Sequence, residues 1–413
     1  MKNNRTYKRY IPFVVIGGVA FLAVIFFSNT RATVEYVSAE RGHVDTTEEV
    51  ATTTPEVIPA THVQTPSAVK ALYMSSCVAG TPSFRKDLVA IIDTTELNSV
   101  IIDVKDYTGK LSFVTDEADL ASYLSDRCYA PDMADFIADL HKRNIYVIGR
   151  VTVFQDPYYT SLYPETAVRR ESDNGIWTDR KGISYIDPGS KKAWDHTVNI
   201  AKASYDIGFD EINFDYIRFP SDGNMKDIAF PYSKTRDKAD VIEDFFSYLH
   251  TKLEPTGMKT SADLFGMVAV NTDDLGIGQV LEKGFPYFDY LAPMVYPSHF
   301  PPNFNGWKDP NKVPYDLILY TMQESVARAI ATSTPVETLG STRIGTSTPA
   351  LYTKEVYDQN IIRPWLQDFD YGGEYGPKEV RAQIQATYDA GLSSWMLWAP
   401  SNRYTVEALH SDE

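Results

Sequence analysis

Charged side chains inside apolar runs are the first feature of this sequence that could do chemistry. "GFDEINFDYIRFP", from Gly208 to Pro220, sets Asp210, Glu211, Asp215 and Arg218 among large apolar residues. "VIIDVKD" does the same with Asp103 and Lys105, "GRVTVFQD" with Arg150 and Asp156, and "SADLFG" with Asp263. Later runs end in "APMVYPSHF" with Tyr296, Ser298 and His299, "RPWLQDF" with Trp365, Gln367 and Asp368, and "WMLWAPSN" with Trp398 and Asn402. Buried charge is costly unless it is paired or used. Taken singly, each carboxylate also reads as half of a structural ion pair, Asp103 with Lys105 or Asp215 with Arg150.

Paired carboxylates among aromatic side chains suit the hydrolysis of glycosidic bonds. One acid protonates the leaving oxygen, and the other acts as nucleophile or as base for water. The chain has 27 tyrosines, and aromatic residues are 13% of it; their faces can stack on sugar C–H groups. Other chemistries lack their residues. No H-E-x-x-H, C-x-x-C or His-x-His occurs, so no metal site is expected. No G-x-S-x-G elbow and no phosphate-binding glycine loop is present, and no cofactor is expected. The net charge of -16 argues against nucleic acid as a partner.

The elements that must position these residues alternate. The strand candidates are "VKALYMSS", "SVIIDVKD", "IYVIGRVTVF", "EINFDYIRF", "KTSADLFG", "YLAPMVYP", "RPWLQDF" and "SSWMLWAP". Amphipathic stretches such as "DMADFIADLHKRN", "SKKAWDHTVNIAKASYDIG" and "PKEVRAQIQATYDAG" lie between them. Near-continuous apolar strands alternating with helices imply a parallel sheet covered on both faces. Eight such units predict a closed (β/α)8 TIM barrel over residues 67–413. A doubly wound open sheet is the runner-up, but it would normally bring a glycine-rich turn after the first strand, and "YMSSCVAGTPS" has none. In the barrel chemistry sits at the C-terminal ends of the strands, where these polar groups fall. Strand alternation puts Asn213 with Asp215, Asp103 with Lys105, and Ser261 with Asp263 on the lumen face. The polar stretch from Ala331 to Thr353 reads as a mobile surface loop on the opposite face.

Residues 1–29 read as a basic tail followed by a membrane anchor. "IPFVVIGGVAFLAVIFF", Ile11 to Phe27, carries no charge and follows Lys2, Arg5, Lys8 and Arg9. It exceeds the ~7–15 residues of a signal-peptide core and approaches the ~17–25 of a transmembrane helix, which favours an uncleaved anchor over a signal cut after "VSA" at Ala39, far from the apolar run. The basic flank should stay cytoplasmic, which places the rest outside. Residues 30–66, rich in Thr, Pro and acid, read as a flexible linker. Cys77 and Cys128 could form one disulfide or remain two thiols.

Seven of these blocks in order, from "VIIDVKDYTGKLSF" to "WMLWAPSN", resemble a family of membrane-anchored bacterial TIM barrels related to glycoside hydrolases. The resemblance runs from Val69 to Asn402 and implies a cell-surface enzyme acting on a polysaccharide or oligosaccharide. In α-amylase-like barrels an aspartate ending the fourth strand is the nucleophile, with an arginine nearby, and the acid ends the fifth strand. Asp215 and Asp263 fall at those places. On that basis Asp215 is expected as nucleophile or base, partnered by Arg218, and Asp263 as acid. Asp103, Lys105, Arg150 and Arg218 would tune charge and bind substrate. Tyr296, His299, Trp365, Gln367, Trp398 and Asn402 would hold sugar. The rival expectation is a carbohydrate-binding barrel without catalysis.

Overall fold

A computed structural model describes residues 60–411. The barrel strands are β1 (Lys70–Met74), β2 (Ser99–Lys105), β3 (Tyr146–Thr152), β4 (Glu211–Asp215), β5 (Lys259–Phe265), β6 (Tyr290–Met294), β7 (Trp365–Gln367) and β8 (Trp395–Trp398). All neighbours pair in parallel, and β1 joins both β2 and β8, so the eight strands close into a barrel. The strand candidates read from the apolar runs each contain one of these strands.

The crossovers carry helices α1 (Pro82–Thr94), α2 (Met133–Lys142), α3 (Lys191–Asp206), α4 (Lys238–Leu253), α5 (Leu281–Gly284), α6 (Pro314–Ile330) and α7 (Pro377–Asp389). Pro at the first position of α1, α6 and α7 suits helix entry, since its missing N–H has no intrahelical partner there. Gly208, at φ +117°, lets the chain leave α3 and turn into β4. Between β5 and β6 the helix shrinks to the single turn of α5.

Strand alternation builds two cores. Ile212 and Phe214 of β4, Val100 and Ile102 of β2, and Ala262 and Leu264 of β5 face the helices in the large outer core. The other parity fills the lumen, with an apolar cluster that includes Tyr73, Ile101, Ile148, Ala292, Trp365 and Met396. At the strand entries Arg363 donates to both carboxylate oxygens of Glu211, at 2.9 and 3.1 Å, and lies 3.8 Å over the Tyr290 ring. Glu211 therefore belongs to the floor of the barrel, far along β4 from Asp215.

Two expectations change. The Ala331–Thr353 stretch is not a loop alone: 333–334, 343–344 and 351–353 pair as a small antiparallel sheet. Thr334, Ile344 and Tyr352 are β-formers, and Leu339 N–H anchors the excursion to Glu243 of α4 at 2.8 Å. The boundary drawn at residue 66 also moves. Val63 N–H donates to Asp210 at 2.8 Å, and Thr65 donates to the Tyr146 hydroxyl at 3.0 Å. Residues 60–66 thus pack on the barrel floor, and Asp210 is their anchor. The expected anchor helix at residues 11–27 and the rest of the linker lie outside the described residues. Among the described residues no helix is long and apolar enough to cross a membrane. Cys77 and Cys128 form a disulfide that ties the loop after β1 to the loop after β2.

Candidate active site

Strand register assembles the site. Asp103 of β2 lies opposite Arg150 of β3, which lies opposite Asn213 of β4, which lies opposite Ser261 of β5. Two residues further along, Asp215 ends β4 and Asp263 approaches the end of β5. All these side chains share the lumen parity, so they converge at the C-terminal mouth.

Arg150 is the hub. Its Nη1 donates to Asp103 Oδ1 at 2.6 Å, its Nη2 donates to Asp215 Oδ2, and its Nε lies 3.6 Å from Asp263 Oδ2. Tyr73 of β1 donates to the other oxygen of Asp103 at 2.5 Å. Asp263 Oδ1 accepts from Trp365 Nε1 at 2.6 Å and from Asn213 at 2.9 Å. Asp215 Oδ1 accepts from the Tyr216 backbone N–H at 2.5 Å. Tyr216 holds a left-handed φ of +52°, a conformation that costs a non-glycine residue about 1–3 kcal/mol and tends to persist where a site needs it. A small cleft opens over the cluster, lined by Tyr73, Arg150, Asp215 and Asp263 and walled by Tyr296 and Trp398.

One guanidinium faces three buried carboxyl groups and can neutralise only one charge. Burial, followed by the nearby charge of Asp215, pushes the Asp263 carboxyl up to about 8. Burial also raises Asp103, against the pull of Arg150. Burial thus favours the protonated form of Asp263 near neutral pH. Its Oδ1 accepts from two N–H donors, and Oδ2, 3.6 Å from Arg150 Nε, is the freer oxygen. Both oxygens of Asp215 instead accept hydrogen bonds. The two aspartates are thus chemically distinct, a donor and an acceptor served by one arginine.

Residues 71–404 match the family described as "Putative glycosyl hydrolase domain". The chain belongs to that family. Its barrel is also similar to solved structures. A hypothetical protein from Ruminiclostridium thermocellum ATCC 27405 is 30% identical, over 50% of this chain and 98% of its own, with a TM-score of 0.43. The PgaB (BpsB) glycoside hydrolase domain from Bordetella bronchiseptica is 12% identical, over 84% of this chain and 100% of its own, with a TM-score of 0.56. The latter likeness is one of fold. No curated protein matches the chain. Family membership makes the barrel glycoside-hydrolase-like.

Several residues expected at the site are elsewhere. Lys105 does not stand beside Asp103 in the cleft. The β2–β3 register shifts between them, and Lys105 is buried against Asp156 at 2.6 Å. Arg218 is not the partner of Asp215: its Nη1 donates to the Phe219 carbonyl and the Ser221 hydroxyl, each at 3.1 Å. Gln367 spends its carbonyl on Ser298 and its amide on the Phe369 and Tyr371 carbonyls. Asn402 accepts from Ser75 N–H at 2.8 Å and donates to the Ala399 carbonyl. Gln367 and Asn402 therefore shape loops instead of offering free groups to sugar. His299 stands exposed at the rim, edge-on to Tyr296. Tyr73 and Met294 line the cleft without having been expected there, and Asn213 proves a direct partner of Asp263. The alternation of Ala71 and Tyr73 in β1 carried the signal for Tyr73.

Proposed function

We propose that the protein is a glycoside hydrolase that cleaves a polysaccharide outside the cell. Asp263 is the general acid and delivers its Oδ2 proton to the departing glycosidic oxygen. Asp215 is the nucleophile, or the base that activates water, and Arg150 holds it in place. Trp398 and Tyr296 offer faces to the sugar. Residues 1–29 anchor the chain in the membrane, and the linker that follows holds the barrel of residues 67–413, with its packed lead-in, away from the bilayer.

The observation that carries this reading is the single arginine between a proton-holding Asp263 and an acceptor Asp215 at adjacent strand exits. Its test is the purified full-length chain incubated with bacterial envelope polysaccharides, with products weighed by mass spectrometry. New reducing-end fragments from the wild type, absent with Asp215→Asn, are expected. Full turnover by Asp215→Asn would sink the assignment.

A second reading has one observation in its favour. Arg150 hydrogen-bonds both Asp103 and Asp215, a buried network that a barrel mouth without catalysis would also carry. A carbohydrate-binding barrel would retain glycans in the same experiment and release no fragments.

A further inference from the structure

The cleft does not end at its walls. Trp398 and Tyr296, 5.1 Å apart between ring centroids, both meet Phe369, at 5.9 and 5.8 Å. His299 continues the series, 5.3 Å from Tyr296 and 6.5 Å from Phe369. Tyr371 follows 6.2 Å from His299 and is 63% exposed. Tyr296 is buried, Trp398 and Phe369 are half-buried, and His299 and Tyr371 are open to solvent.

Two loops carry the line, one after β6 and one after β7, and one buried side chain fixes both. The Gln367 carbonyl accepts from Ser298 N–H at 3.2 Å and from Ser298 Oγ at 2.8 Å, beside His299. Its amide donates to the carbonyls of Phe369 at 3.0 Å and Tyr371 at 3.4 Å. The aromatic rings are therefore presented from a prearranged backbone. An exposed tyrosine alone needs no explanation. A row of rings that starts in the cleft and is pinned by one glutamine does.

We infer that Phe369, His299 and Tyr371 form an outer subsite that binds a glycan chain beyond the sugar held in the cleft, so that the substrate is a long chain. This rests on the glycan-cleaving reading above. Aromatic faces stack on the apolar faces of sugar rings, and successive rings leading outward would grip successive sugars. The rim here is acidic, with Asp370 and Glu374 exposed beside Tyr371, which fits a chain without uronate or phosphate groups.

The test uses the full-length chain and size-graded oligosaccharides released from bacterial envelope polysaccharides, all on an Asp215→Asn background so that bound chains are not cleaved; wild type here refers to position 371. Retention is read against oligomer length by mass spectrometry. The wild type should retain longer oligomers better than short ones. Tyr371→Ala should weaken retention of the long ones by about three- to tenfold and leave the shortest unchanged. Tyr371→Phe should behave as wild type, because it keeps the ring face. If the wild type binds short fragments with no gain from length, or if Tyr371→Ala keeps the length dependence, the outer subsite is wrong and the cleft reading stands. If the wild type retains no glycan of any length, the proposed function fails and takes the subsite with it.

Discussion

Trp365 donates its indole N–H to Asp263 across 102 residues of chain, at 2.6 Å, from β7, two strands round the same lumen. The buried tryptophan is therefore a hydrogen-bond partner of that carboxyl. Its hydrogen bond favours the ionised carboxyl and opposes the rise that burial imposes on Asp263. Trp365→Phe keeps a ring but removes the donor. The Asp263 carboxyl should move further up, and the alkaline limb of the rate profile should shift to higher pH. Asn213 still donates to the same oxygen, so the stability loss should come chiefly from the space the smaller ring leaves, about 1–3 kcal/mol. Rate profiles of the two proteins check this, and a shift toward lower pH would contradict it.

Asp215 and Asp263 should fail differently. Either change to Asn should lower turnover on a natural glycan by about 10²–10⁴-fold. An aryl glycoside with an acidic phenol as leaving group needs little protonation. It should therefore rescue much of the rate in Asp263→Asn and almost none in Asp215→Asn. Equal rescue of both variants would mean that the roles are shared or reversed.

Burial of Asp263 also makes a statement about stability. Its carboxyl titrates near 8 in the folded protein and near ~3.9 when unfolded. Between those values the native state keeps a proton that the unfolded state has lost. The stabilising contribution is complete below the unfolded value and is lost as pH rises toward 8. Asp103, raised by burial as well, acts in the same direction. Asp263→Asn has no proton to lose, so its melting temperature should gain on the wild type as pH climbs from 4 to 8. Parallel melting curves across that window would count against a buried, proton-holding Asp263.

The barrel was legible because buried parallel strands read as apolar runs, and its mouth because carboxylates interrupt them. What stayed hidden depends on register. The pairing of Asp215 with Arg150 was legible as one option, but only strand register selects Arg150 over Arg218, which is nearer in sequence. Lys105 has the parity of Asp103, yet the register shift after Asp103 lets it turn to Asp156, a residue that offers no periodic signal. The segment from Ala60 to Pro66 docks through a backbone N–H, a threonine hydroxyl, Val63 against the lumen cluster and His62 on Tyr205, too few apolar contacts to show a period. The two-residue strands at 333–334 and 343–344 are too short to show a period at all.

Arg150 is the member whose loss the fold should feel most. Its side chain is 13% exposed and serves carboxyl groups on three strands. Arg150→Met keeps much of the volume but leaves Asp103, Asp215 and Asp263 facing one another without a cation. Removing one partner of a buried ion pair costs about 3–5 kcal/mol, chiefly because the remaining charge is stranded. Here the stranded groups are acids and can be discharged by protonation. The destabilisation of Arg150→Met should therefore be large at pH 8 and shrink toward pH 4. Denaturant unfolding at the two pH values separates this from simple loss of packing, which would cost the same at both.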